Sequence, residues 1–439
     1  MLVEHNNSLG DIVKAFVNRK SELASLDQCQ NRGGGLIVLY GRRRVGKTAL
    51  LRHWLGKRKS CYSQAIEGHP LLQVEQISND IAEVMDFPIL PKTWTDFFNV
   101  LKKSAGPWIL CIDEFQYLAE SSPELPSMVQ KFVDHSIPKG STLILAGSSQ
   151  SLMHGLVTDS NQPLYGRSDL TMKIAPMGYK YFCEALDLNA KDQNSLILYT
   201  LTGGLPRYWK FLERLPSLDP VKVAEALYFE SGSVMEDEPE RILKDEGAIG
   251  LMARSILECV GRGCHKISEI GGRLGQPSTN LSRPMRLLVD LGFVHKDNPF
   301  GASERDSKQS FYRLADPALL FWFSTYSPMR TRWNIVSTNE KIEALHKHAG
   351  NVLEKMIRDH YKDAKRYWES NFEWDMVRET RKNQITISEV KFGRLSDRDR
   401  TRIIKNSEDQ FHKSSLRKKY KLQAAHVIDS HDAVKLLLN

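Results

Sequence analysis

The 439-residue chain contains no apolar run approaching the ~20 residues that a membrane-spanning helix requires, no internal repeat and no low-complexity tract. A spanning helix, a solenoid and a disordered tether are thereby excluded as its main architecture. Cysteine is scarce: six residues lie far apart, at positions 29, 61, 111, 183, 259 and 264. No pair has zinc-ligand spacing with partner histidines, and the density is too low for a disulfide framework. Free thiols in a reducing compartment are expected, with Cys111 inside an apolar strand as core. Met1 to Gly10 is polar and carries an acid, so it does not read as a signal peptide. The expectation is a soluble, cytoplasmic protein with no membrane partner.

What is present is a basic balance. Lys and Arg number 61 against 53 Asp and Glu, a formal net charge of +8, which favours polyanionic partners such as nucleic acid. The length leaves room for two to four domains with real cores.

The first third alternates strands and helices. Leu36 to Tyr40 is a short apolar run after a glycine turn, Trp108 to Ile112 a second and Thr142 to Ala146 a third. Such runs between helices argue for an α/β, doubly wound parallel sheet. From Gly178 to about Lys244 the pattern is helical. Leu251 to Val260, Ile267 to Leu274 and Ser278 to Leu291 then read as three helices, followed by strands at 292–294 and 311–314: the outline of a winged helix-turn-helix. Residues 327 to 341 are polar and read as a linker. The last hundred residues suggest a small α/β unit, with a helix from Ala349 to Tyr361, strands at 372–377, 384–390 and 424–428, and a basic helix before the last strand.

Gly41-Arg42-Arg43-Arg44-Val45-Gly46-Lys47-Thr48 fits G-x-x-x-x-G-K-[ST] between an apolar strand and a helix. Glycines let backbone N–H groups, continuing through Ala49, wrap a phosphate. Lys47 neutralises the β- and γ-phosphates, Thr48 offers a hydroxyl to Mg²⁺, and the helix N-terminus faces the anion. ATP and Mg²⁺ are therefore the expected ligands. The strand ending in Asp113-Glu114 supplies the second element, with Asp113 holding Mg²⁺ and Glu114 orienting the attacking water. Ser148, after the third strand, is placed to touch the γ-phosphate, or else to cap a helix.

With these strings the chain resembles the archaeal-type ATPases of the STAND branch of AAA+ proteins. Ile-Asp-Glu-Phe-Gln-Tyr at 112–117 and Ala-Gly-Ser-Ser at 146–149 carry the likeness. Three more strings extend it: Phe16 to Leu23, similar to an N-terminal box over the adenine that includes Arg19; Leu164 to Arg167, similar to a segment with an arginine near the phosphates; and Gly203 to Pro206, similar to the turn of a helical lid. The resemblance implies an AAA+-like P-loop NTPase core over residues 1–177, a helical lid over 178–244 and a winged helix-turn-helix over 245–330. Arg19, Arg44, Val45, Arg167 and Pro206 join the expected nucleotide contacts. Homo-oligomerisation is also implied, with Arg167 acting in its own or a neighbouring subunit.

In the C-terminal unit, Glu389 and Lys391 share one face of a strand because residues i and i+2 do so. Asp375 lies on the neighbouring strand candidate and Glu354 on the preceding helix. Two carboxylates can hold Mg²⁺ through Asp375 and Glu389, and a lysine beside them can position water for phosphodiester attack. That order resembles the PD-(D/E)xK nucleases, implying a restriction-endonuclease-like domain over 342–439. Arg394, Arg398, Arg400, Arg402, Lys405, Lys413, Arg417, Lys418, Lys419 and Lys421 follow, either as a solvated face or as a track for a DNA backbone. Asn280, Arg283 and Arg286 are candidate second DNA contacts. Two readings stand: an ATPase whose nucleotide cycle gates a DNA nuclease, or a nucleotide-driven regulatory switch that binds DNA or a protein without cutting.

Overall fold

The computed structural model describes residues 16–56, 58–85, 90–104, 106–245, 250–302, 310–369 and 371–438. Five strands form the first sheet: β1 (Gly35–Tyr40), β2 (Ser60–Gln64), β3 (Ile109–Asp113), β4 (Thr142–Gly147) and β5 (Leu170–Lys173). Their order is β2-β3-β4-β1-β5, and every pairing is parallel. The three central strands are almost wholly buried, which is why they read as continuous apolar runs. The two edge strands were not legible: β2 is Ser-Cys-Tyr-Ser-Gln and β5 has only four residues. Since β4 lies between β1 and β3, Gly41, Glu114 and Ser148 all leave the same edge of the sheet, where ligands gather in such folds.

Helices Tyr179–Ala185, Gln193–Thr202 and Pro206–Leu212 follow. In Gln193–Thr202 every residue from Ser195 on is buried, as expected of a helix surrounded by others. Helices Leu251–Gly261, Ile267–Leu274 and Ser278–Asp290 lead into the antiparallel hairpin of β6 (Val294–Asp297) and β7 (Phe311–Leu314).

The expected linker at 327–341 is a correction. Trp333 within it is 1% exposed, stacks on Phe229 at 4.1 Å and donates to Glu225 at 3.3 Å. A second correction follows, because the next helix is Thr338–His360, eleven residues longer at its start than the reading from Ala349. Ser337 and Glu340 form a reciprocal capping box there, a signal present in the sequence. Polar composition hid both features, since a single buried tryptophan can anchor an otherwise solvated segment.

The second sheet contains β8 (Lys365–Glu369), β9 (Phe372–Arg381), β10 (Gln384–Val390) and β11 (Lys421–Ile428), ordered β11-β10-β9-β8. β9 runs antiparallel to both neighbours, whereas β10 and β11 are parallel across the helix Asp397–Lys413. Its one face rests on helix Thr338–His360, and the main hydrophobic core runs unbroken from Leu39 and Ala146 through Phe321 to Leu353 and Val390. A smaller core containing Trp374, Ile385, Ile387 and Phe411 fills the other face. No helix among the described residues is long and apolar enough to cross a membrane.

Candidate functional site

The phosphate loop closes because Gly46 takes φ +97°, a left-handed conformation that costs glycine little. Helix Lys47–Leu55 starts directly after it. Lys47 Nζ donates to Gly41 O at 2.9 Å, Arg42 O at 3.4 Å and Ser148 Oγ at 2.9 Å. Thr48 Oγ1 donates to Asp113 Oδ2 at 2.6 Å, and Tyr62 OH donates to the same oxygen at 2.7 Å. Ser148 donates from Oγ to Glu114 at 2.9 Å, and Gln116 donates to Glu114 at 2.7 Å. Glu114 itself sits at φ 56°, which turns its carboxylate back toward Ser148. Lys47, Thr48, Asp113, Glu114 and Ser148 thus form one hydrogen-bonded cluster. A hydroxyl and a carboxylate 2.6 Å apart are hard oxygen donors of the kind Mg²⁺ takes beside phosphate oxygens.

The loop's arginines turn away from that cluster. Arg42 is buried and pairs with Asp316 at 2.5 Å. Burial works against its charge, but Asp316 holds the guanidinium pKa above its ordinary value. Arg43 reaches Tyr117 OH at 3.2 Å, and Arg44, at φ 72°, pairs with Glu238 and Tyr208. The Arg44 side chain is therefore engaged by Glu238 and Tyr208. Pro206 Cγ lies 3.9 Å from where a Cβ on Gly46 would be, so the start of helix Pro206–Leu212 abuts the loop.

Arg19 is 3% exposed. It donates to Val45 O at 3.0 Å and Ala175 O at 2.8 Å and pairs with Glu22. Its guanidinium braces the loop rather than offering a free charge. Arg167 is a correction for the chain's own site. It pairs with Asp134 at 3.2 Å and lies three residues before β5, whose Leu170 is level with Ile37 near the start of β1. The phosphate loop leaves the opposite end of β1, roughly 15 Å away at ~3.3 Å per residue.

In the second sheet, Ser388 faces Met376 across the β9–β10 ladder, and one further step brings Glu389 and Asp375 together. Val390 N donates to Asp375 Oδ2 at 2.9 Å. Lys391 Nζ lies 2.8 Å from Glu389 Oε2 and 3.4 Å from Asp375 Oδ2. Burial and the nearby Asp375 carboxylate push Glu389 up to about 7, and the same two causes push Glu354 up to about 7. Asp375 and Glu389 more than offset burial at Lys391, whose pKa is raised. Carboxylates crowded this way lack positive charge, and two carboxylates plus a backbone carbonyl suit a Mg²⁺ ion that keeps several waters. Arg366 supplies part of that charge, pairing with Glu354 and Glu373.

The raised carboxylate pKa values have a signed consequence. Both groups are harder to ionise folded than unfolded, so the stability tied to their protonated forms is lost as pH rises from the ordinary carboxylate range through about 7. In EDTA, the urea midpoint of wild type should fall relative to Glu389→Gln between pH 5 and pH 8. Parallel curves would contradict this.

The basic cluster divides. Arg400 is tied to Asp429 and Asp432, and the exposed Arg402 pairs with Asp399 on its own helix. Arg394, Arg398, Lys405, Lys413, Arg417, Lys418, Lys419 and Lys421 are exposed, as are Asn280, Arg283 and Arg286. The sequence reading missed Tyr62, Gln116, Asp316, Glu238 and Arg366. Gln116 alone carried a signal, two residues from Glu114. The other four come from distant elements that only folding brings close.

Among known proteins, residues 16–212 match a family described as "ATPase domain predominantly from Archaea". The chain is 28% identical over 425 residues to Uncharacterized protein MJECL04 of Methanocaldococcus jannaschii, spanning 91% of this chain and 92% of that protein. It is 53% identical over 45 residues to Uncharacterized ATP-binding protein MJ0423 of the same organism, 10% of this chain and 76% of that protein. The Walker-type ATPase paby2304 of Pyrococcus abyssi has a similar fold, with a TM-score of 0.52 at 19% identity over 72% of this chain and 98% of that one.

Proposed function

We propose a function from one premise: residues 16–212 match the family of ATPase domains found predominantly in Archaea, which supports an ATP-binding function of ATPase type. On that premise, the nucleotide cycle gates a Mg²⁺-dependent nuclease that acts on DNA and is housed in residues 342–439. The observation that carries this reading is the meeting of Asp375, Glu389 and Lys391, with Lys391 Nζ within 3.4 Å of both carboxylates.

At the ATPase site, Lys47 draws charge from the γ-phosphate, Glu114 orients the attacking water and Ser148 links the two. In the C-terminal unit, Asp375 and Glu389 would hold the metal, which when bound supplies a Lewis acid for the scissile phosphate. Lys391 orients water toward phosphorus, and Glu354 takes or returns a proton from the adjoining helix. The exposed lysines and arginines between Arg394 and Lys421 track the DNA backbone.

A chain of contacts supports gating. Arg42 of the phosphate loop pairs with Asp316, which caps helix Pro317–Phe321 by accepting from Leu319 N at 2.7 Å. Phe321 packs edge-on against His348 at 5.1 Å. His348 lies six residues before Glu354 on one helix, about 9 Å along its axis. A shift of Arg42 on nucleotide binding would therefore be felt at Glu354 through packed groups.

The test is cleavage of plasmid DNA by the full chain. Nicking or cutting should require Mg²⁺ or Mn²⁺ and stop in EDTA. Absence of metal-dependent cleavage in every nucleotide state would remove the nuclease half. One observation favours a second reading, a nucleotide-driven regulatory switch that binds DNA or a protein without cutting. Arg366 pairs with Glu354 and Glu373 together, closing off an acid that catalysis would use.

A further inference from the structure

A cavity of about 480 Å³ lies between the β6–β7 hairpin, the end of helix Leu251–Gly261 and helix Thr338–His360. It is separate from the phosphate loop, none of whose residues line it. Its walls carry six cations, Arg262, Arg313, Lys347, Lys355, Arg358 and Arg366, against one lining carboxylate, Glu354. Among the described residues, five of the six meet acids: Arg262 pairs with Glu258, Lys355 with Asp359, Arg366 with Glu354 and Glu373, Arg313 with Glu373 at 3.2 Å and Asp297 at 3.6 Å, and Arg358 only with Asp297, at 3.6 Å. Lys347 is exposed and makes no ion pair with a described residue. Arg358 is buried and Arg313 half-buried beside Arg366, and desolvation followed by that like charge lowers both pKa values. Five buried atoms on the walls, His295 Nδ1 and Nε2, Arg313 Nε, His348 Nδ1 and Arg366 Nε, have no hydrogen-bond partner among the described residues.

The remaining lining is of a second kind. Leu314, Pro317, Leu320 and Val352 offer an apolar wall, and Asn351 and Thr325 offer polar groups beside it. His348 is 2% exposed, and burial lowers its pKa to about 4, so the ring is neutral at pH 7. Its Nε2 lies 2.9 Å from Thr200 O and so carries the proton, which leaves Nδ1 as an acceptor. A cavity with Lys347 outside any ion pair with a described residue, Arg358 held only loosely, an apolar wall and a buried acceptor fits an anion joined to a ring that bears donors. Its volume falls in the range of small-molecule sites.

We propose that this cavity binds a nucleotide-sized phosphomonoester, its phosphate on Arg358, Lys347 and Arg366 and its base against Leu314, Pro317 and Leu320. The phosphomonoester comes either from a free nucleotide or from the phosphorylated end of a strand. Binding does not depend on the nuclease reading. If that reading also holds, the phosphate competes with Glu354 for Arg366.

Equilibrium dialysis of the full chain carrying Lys47→Ala tests this, because that change disables the phosphate loop as a competing site. Radiolabelled AMP and a hexadeoxynucleotide, with or without a 5′-phosphate, serve as probes. Saturable binding of about one probe per chain is expected, weakened at least about tenfold by Lys347→Glu, the effect of losing one good charge contact. Lys347 is exposed, so that variant should keep its fold, as its unfolding midpoint would show. Arg358→Gln should weaken binding as well. Binding of AMP identifies a free nucleotide, and binding of the phosphorylated oligonucleotide alone identifies a strand end. The proposal is overturned if neither phosphorylated probe binds better than the 5′-hydroxyl oligonucleotide, or if Lys347→Glu binds as well as its parent.

Discussion

Replacing Lys391 with alanine should reduce metal-dependent DNA cleavage by about a hundredfold or more, the loss usual when one aligned charged group leaves a reacting centre. The expectation rests on geometry. The ammonium lies 2.8 Å from Glu389 and 3.4 Å from Asp375, so it sits where the two carboxylates proposed to hold the metal meet. Its removal also leaves two crowded carboxylates with less compensating charge, so stability should fall somewhat, and more at pH 8 than at pH 5. The two effects can be separated. Binding of uncut DNA in EDTA should survive in the variant, because the exposed basic residues that would carry it are elsewhere. Asp375→Asn should match the cleavage loss. If Lys391→Ala cuts as fast as wild type, whatever nuclease activity is present belongs to another site.

The second large effect is at Lys47. Lys47→Ala should lower ATP hydrolysis by about a hundredfold to a thousandfold, as for the loss of one preorganised donor to developing charge. The ammonium is already held by two loop carbonyls and Ser148, so it meets the γ-phosphate with little reorganisation. Glu114→Gln should separate binding from chemistry. It keeps the hydrogen-bonding shape next to Ser148 and Gln116 but removes the negative charge that orients water, so ATP should still bind while turnover falls. Hydrolysis measured by phosphate release, beside binding measured by a fluorescent ATP analogue, reads both quantities. A Lys47→Ala protein with wild-type turnover would contradict the role assigned to the loop.

Much of the fold was legible because buried parallel strands and the phosphate loop announce themselves locally. Leu36 to Tyr40 and Thr142 to Ala146 are continuous apolar runs, and the glycine-lysine spacing of Gly41 to Thr48 has a backbone cause. Asp375, Glu389 and Lys391 could be linked in advance because strand periodicity puts positions 389 and 391 on one face. What stayed hidden depended on partners far away in sequence. Edge strands β2 and β5 are half-exposed, and Trp333 gains its role only by meeting Phe229. Arg44 was an expected nucleotide contact, yet Glu238 and Tyr208 hold its side chain, and the Arg42–Asp316 pair was not legible at all. Arg167 followed a segment that resembled a phosphate contact, but the strand register carries it to the far end of the sheet.

The proposed gating would act through those arginine pairs. Asp316 caps helix Pro317–Phe321, which packs on helix Gln193–Thr202 and, through Phe321 and His348, on the helix bearing Glu354, while Glu238 accepts from Tyr208 of helix Pro206–Leu212. A nucleotide that draws Arg42 or Arg44 toward its phosphates weakens one of these pairs, and each broken buried pair costs several kcal/mol unless the partner element moves. The nucleotide can shift the equilibrium only by that differential interaction.

The most direct measurement is the rate of DNA cleavage in Mg²⁺, with and without ATP, for wild type and for Lys47→Ala. ATP should change the wild-type rate at least severalfold and leave the Lys47→Ala rate unchanged, and Lys391→Ala should lower cleavage in either background about a hundredfold or more. Equal rates with and without ATP in wild type, or an ATP response that persists in Lys47→Ala, would contradict nucleotide gating of the C-terminal site.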